Sequence, residues 1–241
     1  MDGTPRTVLS PRPSCPYRFA TNRFHETWHV ISDPEGAEAL SRWMWAMAYQ
    51  RRDALFVVDE RFMVPNPFDA DDSFPIVIVN SDVAGLDRAE EKDLQAAMPW
   101  RSPSEGTVTL QTGRLDDMLA DPRGFNDRER TAEHRWNPHQ QRRWIDRSHG
   151  LVVVAAPPPV LRVWAVELGD FGSNLQEGQN WVELDYPSKN GEVQVFSDFE
   201  ARVARAVAAR TALYPGRARG ELSDLEREEV WRLQARLDPM R

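Results

Sequence analysis

The chain has one cysteine, Cys15, and no long apolar run among its 241 residues. A single cysteine cannot form an intramolecular disulfide, so disulfide bonds do not hold this fold together and an oxidising compartment is not implied. A membrane-spanning helix needs about 18 or more apolar residues in succession, whereas the longest apolar stretches, such as 151–159, have the length of a strand and contain prolines. We therefore expect a soluble protein of the cytoplasm.

The first 18 residues also lack the continuous apolar core of a secretory signal. They contain Pro5, Pro11, Pro13 and Pro16 instead, a density of prolines that favours stiff, extended backbone. We predict an extended, proline-rich N-terminal arm over residues 1–20. The rest, residues 21–241, is predicted to be a single α+β domain, with 121–150 as the place where it would subdivide.

Basic residues are outnumbered, with 30 Lys and Arg against 38 Asp and Glu and a net charge of −8. Proteins that bind polyanions in general carry a strong positive charge, so this composition disfavours that class. Residues 201–220 are an exception, because they contain five arginines and no acidic residue. We call this segment the basic patch.

The first half of the chain contains both helix and strand signals. Asp33 and Pro34 suit the start of a helix that reaches about Arg52. The ranges 54–58 and 74–79 have the apolar, β-branched composition of buried strands. The remaining predicted elements are a helix from Asp87 to about Met98, a strand over 106–111, a short helix over 114–120, and a helix that starts at Asn137 and Pro138 and ends near Gly150.

The second half has strand signals at 151–156 and 160–168, on either side of three consecutive prolines, and weaker ones at 181–185 and 192–196. Two helices close the chain, each predicted to begin with a capping box, formed by Ser197 with Glu200 and by Ser223 with Glu226. Because the later strands follow one another, we expect an α+β fold, with a mixed β-sheet packed with several helices, rather than a regular doubly wound sheet.

One motif carries specific chemistry. Residues 25–29 read His-Glu-Thr-Trp-His and match the pattern HExxH. On a helix the two histidines are one turn apart, about 6 Å along the axis, so both would bind one Zn²⁺ while Glu26 acts as base on the bound water. The five residues resemble the zincin metalloproteases, and the resemblance implies zinc as cofactor, His25 and His29 as ligands and Glu26 as catalytic base. Glu60 and His134 are the candidates for a third ligand.

The segment 23–31 that contains the motif is also rich in aromatic and β-branched residues, which is typical of a strand. On a strand Phe24, Trp28 and Val30 would face a core. His25 and His29 would then be about 13 Å apart, too far to share a metal. The backbone conformation of this segment therefore decides between a metal site and an ordinary strand.

An acidic loop, residues 69–73, contains Asp69, Asp71 and Asp72. Carboxylates clustered at alternate positions are what Ca²⁺ or Mg²⁺ needs, so the loop is a candidate site for a hard cation. The alternative is a solvated acidic turn, which needs no ligand to be stable.

The segment 123–149 carries seven arginines and two tryptophans. Arginine with interleaved aromatic residues is the combination that phosphate contacts and base stacking use. Arg142, Arg143 and Trp144 are therefore the candidate residues for binding an anion or nucleic acid. The alternative is that acidic residues of the same segment pair with the arginines on a solvated helical surface.

The helix predicted after Asp33 is apolar on nearly all sides. Trp45 and Tyr49, one turn apart, form a second apolar face besides the one expected to pack on the core. Tryptophan and tyrosine are enriched in protein interfaces, so we predict Trp45 and Tyr49 as interface residues. The alternative is that the helix is central to the fold and buried on all sides.

These patterns favour a non-enzymatic interaction or structural component of a larger intracellular assembly, with a protein partner or self-association and no cofactor. A zinc-dependent metallohydrolase that uses the HExxH motif is the first alternative. An anion or nucleic-acid binding protein is the second. No pattern in the chain indicates contact with a membrane.

Overall fold

The computed structural model describes residues 6–98, 104–133, 144–173, 181–184, 191–217 and 220–237. These residues form two mixed β-sheets and several helices, so the predicted α+β class is confirmed, as are the two C-terminal helices. The sequence predicted one mixed sheet. The strands form two sheets instead, one of five strands and one of four.

The five-stranded sheet has its strands in the order β1-β4-β5-β7-β6. β1 runs parallel to β4 and β5 runs parallel to β7, while the other neighbouring pairs are antiparallel. The strands are β1 (Thr7–Leu9), β4 (Ala54–Val58), β5 (Ile76–Asn80), β6 (Trp144–Ser148) and β7 (Leu151–Ala156).

The four-stranded sheet has the order β2-β3-β9-β8. Its two central strands, β3 and β9, are parallel, and each outer strand is antiparallel to its neighbour. The strands are β2 (Ala20–Phe24), β3 (Thr27–Ser32), β8 (Trp181–Glu183) and β9 (Gly191–Val195).

Seven helices are found in the part of the chain that the structure describes: α1 (Pro34–Ala48), α2 (Arg88–Ala97), α3 (Leu115–Leu119), α4 (Pro122–Glu133), α5 (Pro158–Ser173), α6 (Phe199–Leu213) and α7 (Asp224–Arg236). None of them combines the length and the hydrophobicity that a helix needs to cross a bilayer.

The main hydrophobic core contains α1, α5 and one face of each sheet. The other face of the five-stranded sheet packs against Leu94 and Met98 at α2. The other face of the four-stranded sheet packs in part against α6, through Phe199 and Val203. α6 and α7 share a small cluster of their own. The four-stranded sheet therefore has one face in the core and one face that α6, Val64 and Phe68 cover in part.

The predicted N-terminal arm contributes a strand to the fold. β1 pairs with β4, and the Ser10 hydroxyl donates a 2.7 Å hydrogen bond to Asp59. Phe19, at the end of the arm, is fully buried. The described part of the arm is thus packed on the domain.

Several local predictions are confirmed. Asp33 is the N-cap of α1 and accepts a hydrogen bond from the Gly36 amide, as its position before Pro34 indicates. β4 and β7 have the predicted bounds, Asp87 is the N-cap of α2 as predicted, and α7 begins with the predicted capping box at Ser223.

The predicted strand over 160–168 is wrong, because these residues lie inside α5. Pro157 precedes this helix, and Pro158 and Pro159 are its first two residues, where a missing amide hydrogen has no cost. The helix is buried on several sides, including Val160, Leu161 and Ala165. A helix of this kind shows no apolar stripe, and a short apolar run does not distinguish it from a buried strand.

Three further predictions fail. The range 106–111 forms no strand, and Val108 in it is exposed. Residues 144–148 form β6 rather than the end of a helix, and the predicted start of that helix, at Asn137 and Pro138, lies outside the described residues. α6 is capped at Asp198 without a side-chain hydrogen bond, so the box predicted at Ser197 does not form.

The two sheets approach each other at β6 and β9. A Cβ added to Gly191 would lie 2.2 Å from Cδ1 of Ile145, which leaves no room for a side chain at this position. Glycine is therefore required here for close contact between the sheets.

Candidate functional site

The HExxH segment forms a β-hairpin. His25 and Glu26 are the two residues of the turn between β2 and β3, with φ angles of 47° and 67°. Positive φ at both turn positions is the geometry of a type I′ hairpin turn. His29 follows in the middle of β3. The helical turn that would place His25 and His29 side by side for one metal is absent from this segment.

The hairpin also determines which way the aromatic residues face. Trp28 and Val30 pack in the main core, as the strand interpretation requires. Phe24 was expected on the same side, but it lies before the turn, pairs with Thr27 and is 54% exposed. The turn interrupts the alternation of side chains, which is why this expectation is wrong.

No third metal ligand for His25 and His29 is found among the residues that the structure describes. Glu60 belongs to a short 3-10 turn, 60–62, and His134 lies outside the described residues. Among the residues that the structure describes, no group of three or more His, Cys, Asp and Glu side chains is arranged to hold a metal ion. The geometry of the HExxH segment therefore gives the zinc hypothesis no support.

His29 is buried and both ring nitrogens have a partner. Nε2 lies 3.3 Å from Oε1 of Glu192, and Nδ1 lies 2.6 Å from the side-chain oxygen of Asn22. Burial lowers the pKa of His29, and the negative charge of Glu192 opposes part of that effect. A neutral imidazole fits both contacts when Nε2–H donates to Glu192 and the Asn22 amide is turned so that its NH₂ donates to Nδ1.

These side chains belong to a row that crosses the four-stranded sheet. Asn22 pairs with His29, His29 with Glu192, and Glu192 with Glu183. Since side chains directly opposite each other in a sheet lie on the same face, we call Asn22, His29, Glu192 and Glu183 the polar row. They lie on the face opposite the main core.

Aromatic side chains flank the polar row at both edges of the sheet. Phe24 stands on β2, two residues beyond Asn22, and Trp181 stands on β8, two residues before Glu183. They are 54% and 41% exposed. Gln194, opposite Trp181, donates a 2.5 Å hydrogen bond to Oε1 of Glu192. We call the polar row with Phe24, Trp181 and Gln194 the open sheet face.

The acidic loop is anchored by arginines of the C-terminal helices. Oδ1 of Asp71 accepts hydrogen bonds from Arg210 of α6 at 2.7 Å and from the Gly220 amide at 3.0 Å, and Oδ2 lies 2.9 Å from Arg227 of α7. Asp71 and Arg210 are both buried. Two arginines already compensate the charge of the Asp71 carboxylate, so it does not require a metal ion. Because Asp71 is buried, the loop is not a solvated acidic turn either.

Asp69 supports the same loop from within. Its carboxylate accepts hydrogen bonds from the Asn66 side chain at 2.6 Å and from the Asp71 amide at 2.8 Å. Burial raises the pKa of Asp69 despite these bonds. The loop is thus an internal structural element.

Of the three residues predicted to bind an anion or nucleic acid, only Trp144 is among the described residues. Arg142 and Arg143 lie outside the described residues, and Trp144 is half-buried in β6 against the second face of the five-stranded sheet. In the basic patch, Arg202 and Arg205 both pair with Asp198, and Arg210 pairs with Asp71. Carboxylates from outside the patch therefore offset much of its charge.

The second apolar face of α1 lies mostly inside the protein. Trp45 is 2% exposed, its indole nitrogen donates a 3.2 Å hydrogen bond to the Gly113 carbonyl, and its ring packs on Phe125. Tyr49 is 54% exposed, with the guanidinium of Arg162 5.7 Å from its ring centre. The structure thus places Trp45 in the interior and Tyr49 at the surface.

No family model, no curated protein and no solved structure matches this chain. The open sheet face was not predicted from the sequence, although His29 was singled out. Its other members come from strands far apart in the chain, and only the register between β3 and β9 brings Glu192 beside His29. The weak strand signals at 181–185 and 192–196 predicted where these two strands lie in the sequence, but not which strands they pair with.

Proposed function

We propose that this protein is a non-enzymatic interaction component of a larger assembly and that the open sheet face contacts a protein partner. The observation that carries the proposal is the exposure of Phe24 and Trp181 on a sheet face that α6 covers only in part. Large aromatic side chains contribute much of the binding energy in protein interfaces, and tryptophan is the most enriched of them.

The centre of this face is suited to act as a rigid platform. His29 is held by Asn22 and Glu192, and Glu192 is held in turn by Gln194. Side chains whose rotamers are fixed in advance lose little conformational entropy when a partner binds. The polar row is thus suited to form the centre of a binding interface, and this role requires no catalytic reaction.

Two other exposed apolar residues, both on α7, do not share one face of that helix. Leu225 and Trp231 on α7 are 76% and 48% exposed. They are six residues apart, so at about 100° per residue they point in directions about 120° apart on the helix. Scattered apolar residues of this kind are normal on a protein surface. We therefore assign the contact to the open sheet face.

The test compares proteins captured from extracts of the source cells by the wild-type chain, by a double variant Phe24→Ser and Trp181→Ser, and by Leu225→Ser. The last is a matched control that also replaces an exposed apolar residue by serine. We expect at least one protein to be captured by the wild type and Leu225→Ser and lost by the double variant. Identical captured sets for all three, with each folded by circular dichroism, would contradict the proposal.

A further inference from the structure

We infer that Arg147 and Arg23 form a binding site for a dianionic phosphate group, carried by a small molecule or by a phosphorylated side chain. Arg23 is on the face of the four-stranded sheet that belongs to the main core, whereas Phe24 is on the open sheet face. The phosphate site is therefore separate from the surface assigned to the protein partner, and it does not depend on the proposed function.

Arg147 lacks an acidic partner that similar arginines have. Four arginines in the described ranges place their guanidinium group over an aromatic ring, namely Arg61, Arg147, Arg162 and Arg202. Three of them also form an ion pair, Arg61 with Asp59, Arg162 with Glu129 and Arg202 with Asp198. Arg147 has no carboxylate partner among the described residues, although its guanidinium is the closest of the four to a ring. The place of the anion beside Arg147 is thus left to a ligand.

The ring below Arg147 is firmly held. The guanidinium carbon of Arg147 lies 4.0 Å from the ring centre of Phe74, and Phe74 packs edge-on against Trp28 with 6.1 Å between the ring centres. The Phe74 amide donates a 2.7 Å hydrogen bond to the Thr21 hydroxyl, which fixes the backbone as well. A guanidinium over a ring still has its five N–H donors, which point outward in its own plane. Arg147 is exposed, so these donors are accessible to a ligand.

A second arginine lies beside the same two rings. Arg23 is directly opposite Trp28 in the antiparallel register of β2 and β3, so the two side chains share one face of the sheet. Thr21, two residues before Arg23 and on the same face, is the residue that holds Phe74. Arg23 is exposed and has no carboxylate partner within the described ranges. Two unpaired guanidinium groups therefore border one pair of touching rings.

Acidic residues close by in the sequence leave both guanidinium groups free. Asp146 accepts a 2.7 Å hydrogen bond from the Arg147 amide, but the alternation of side chains along β6 directs its carboxylate to the opposite face. Glu26 is exposed in the hairpin turn, and no ion pair joins it to Arg23 in the described part of the chain. Both acids lower the local potential without occupying a donor of either arginine.

A phosphate group fits two arginines better than a carboxylate does. At neutral pH a phosphate monoester has a charge of about −2 and three acceptor oxygens. A carboxylate has one charge and two oxygens, and one arginine satisfies both oxygens, as Arg61 does for Asp59. A carboxylate bound to Arg147 would therefore leave Arg23 unpaired, whereas a phosphate engages both.

A nucleic acid is the other phosphate-bearing ligand, and the site suits it poorly. Binding of single strands relies on bases that stack on exposed rings. Trp28 is 6% exposed, and Arg147 already lies over Phe74. A nucleic acid also needs many cations along its backbone, and here Glu26 and Asp146 would repel the neighbouring phosphates. The site thus favours a single phosphate group.

The test adds inorganic phosphate to the full chain and follows the shift and width of its phosphorus NMR line at constant ionic strength. We expect a Kd on the order of 1 mM, because two charge-assisted contacts at an exposed site give weak binding. Acetate is the carboxylate probe, and it should displace phosphate only at about tenfold higher concentration.

Variants locate the binding to the two arginines. Arg147→Gln and Arg23→Gln each remove one positive charge from an exposed side chain, and each is expected to raise the Kd about tenfold. Arg147→Lys keeps the charge but loses the planar donors, so its Kd should lie between those of the wild type and Arg147→Gln. Arg236→Gln is the matched control, because it removes an exposed arginine at the end of α7, and its Kd should equal that of the wild type. Circular dichroism confirms that each variant is folded.

Two further probes identify the source of the phosphate group. Glycerol phosphate represents a small phosphorylated molecule, and a hexapeptide with one phosphoserine represents a phosphorylated protein. The probe that binds more tightly than inorganic phosphate, and loses this advantage in Arg147→Gln, has the chemistry of the ligand. Equal affinity for all three would show that the site recognises the phosphate group alone, which also supports it.

Four results would overturn the assignment. These are no binding of inorganic phosphate at about 20 mM, equal affinity for acetate, a Kd that either Arg147→Gln or Arg23→Gln leaves unchanged, and tighter binding of a thymidine hexanucleotide than of every other probe. None of them bears on the capture experiment, which changes Phe24 and Trp181 on the other face of the sheet.

Discussion

Nε2 of His29 on β3 lies 3.3 Å from Oε1 of Glu192 on β9, its partner in the parallel register of the two strands. Burial nevertheless lowers the pKa of this histidine below its ordinary value of 6.5. The folded state therefore binds a proton at His29 less readily than the unfolded chain does. The free energy of unfolding is expected to decrease as the pH falls below about 6.5, and this decrease ends once the folded-state pKa has been passed.

Urea denaturation at pH values between about 8 and 5 measures this dependence. His29→Gln removes the titrating group, so we expect its stability to vary less over this range than that of the wild type. His25→Asn is the matched control, because it replaces an exposed histidine in the turn by a residue that tolerates positive φ. A His29→Gln curve parallel to the wild-type curve would show that His29 does not control this dependence.

The buried pair of Asp71 and Arg210 predicts a large effect of a single substitution. Arg210→Met leaves the Asp71 carboxylate buried with a partly exposed arginine, Arg227, as its remaining cation. Breaking a buried ion pair on one side reduces stability by about 3 kcal/mol or more. Arg232→Met, which breaks an exposed pair with Glu228 one helical turn away, should change stability by less than about 0.5 kcal/mol. Equal effects of the two substitutions in urea denaturation would show that the loop is not anchored as described.

The contact between the two sheets predicts a specific pair of substitutions. Gly191→Ala would bring its Cβ to 2.2 Å from Cδ1 of Ile145, so we expect a loss of stability of about 1–3 kcal/mol. Gly106→Ala is the control, because no atom lies within 4 Å of the added Cβ. Ile145→Ala removes part of the obstruction. The double variant should therefore lose less than the sum of the two single losses, and simple additivity in urea denaturation would count against close contact here.

The two helix starts at the C-terminus predict unequal effects of serine substitution. Ser223 accepts a hydrogen bond from the Glu226 amide in the capping box of α7, so Ser223→Ala should reduce stability by about 1 kcal/mol. Ser197 is exposed and is not the N-cap of α6. Ser197→Ala should therefore leave the thermal unfolding temperature nearly unchanged, and a larger shift for Ser197→Ala than for Ser223→Ala would contradict the assignment.

Local signals in the sequence were sufficient for elements whose ends are determined by neighbouring residues. Asp33 before Pro34 and Ser223 before Glu226 each cap a helix through contacts within four residues, and both predictions are confirmed. The strand prediction over 160–168 failed for the opposite reason. α5 is apolar because other elements of the fold surround it, and residues next to it in the sequence do not indicate that environment.

The candidate site was predictable only in part. His29 was singled out as a metal ligand, but two residues of the motif form a turn, a conformation that the pattern HExxH does not specify. The residue that does contact His29 from β9, Glu192, is brought there by strand pairing over a large separation in sequence. The register between distant strands has no local signature in the sequence. Neither the polar row nor the position of Phe24 and Trp181 beside it could therefore be predicted from the sequence.

The parallel pairing of β3 with β9 also has a consequence during synthesis of the protein. β3 ends at Ser32 and β9 begins at Gly191, so at ribosomal speed on the order of ten seconds pass before the partner strand exists. During that interval β3 has a row of unpaired backbone groups on the side that β9 will occupy, a surface that readily pairs with other chains. The edge of β3 that β9 later covers is therefore unpaired in every growing chain that ends before Gly191, and it is the part of the sheet most open to pairing with another chain at that stage.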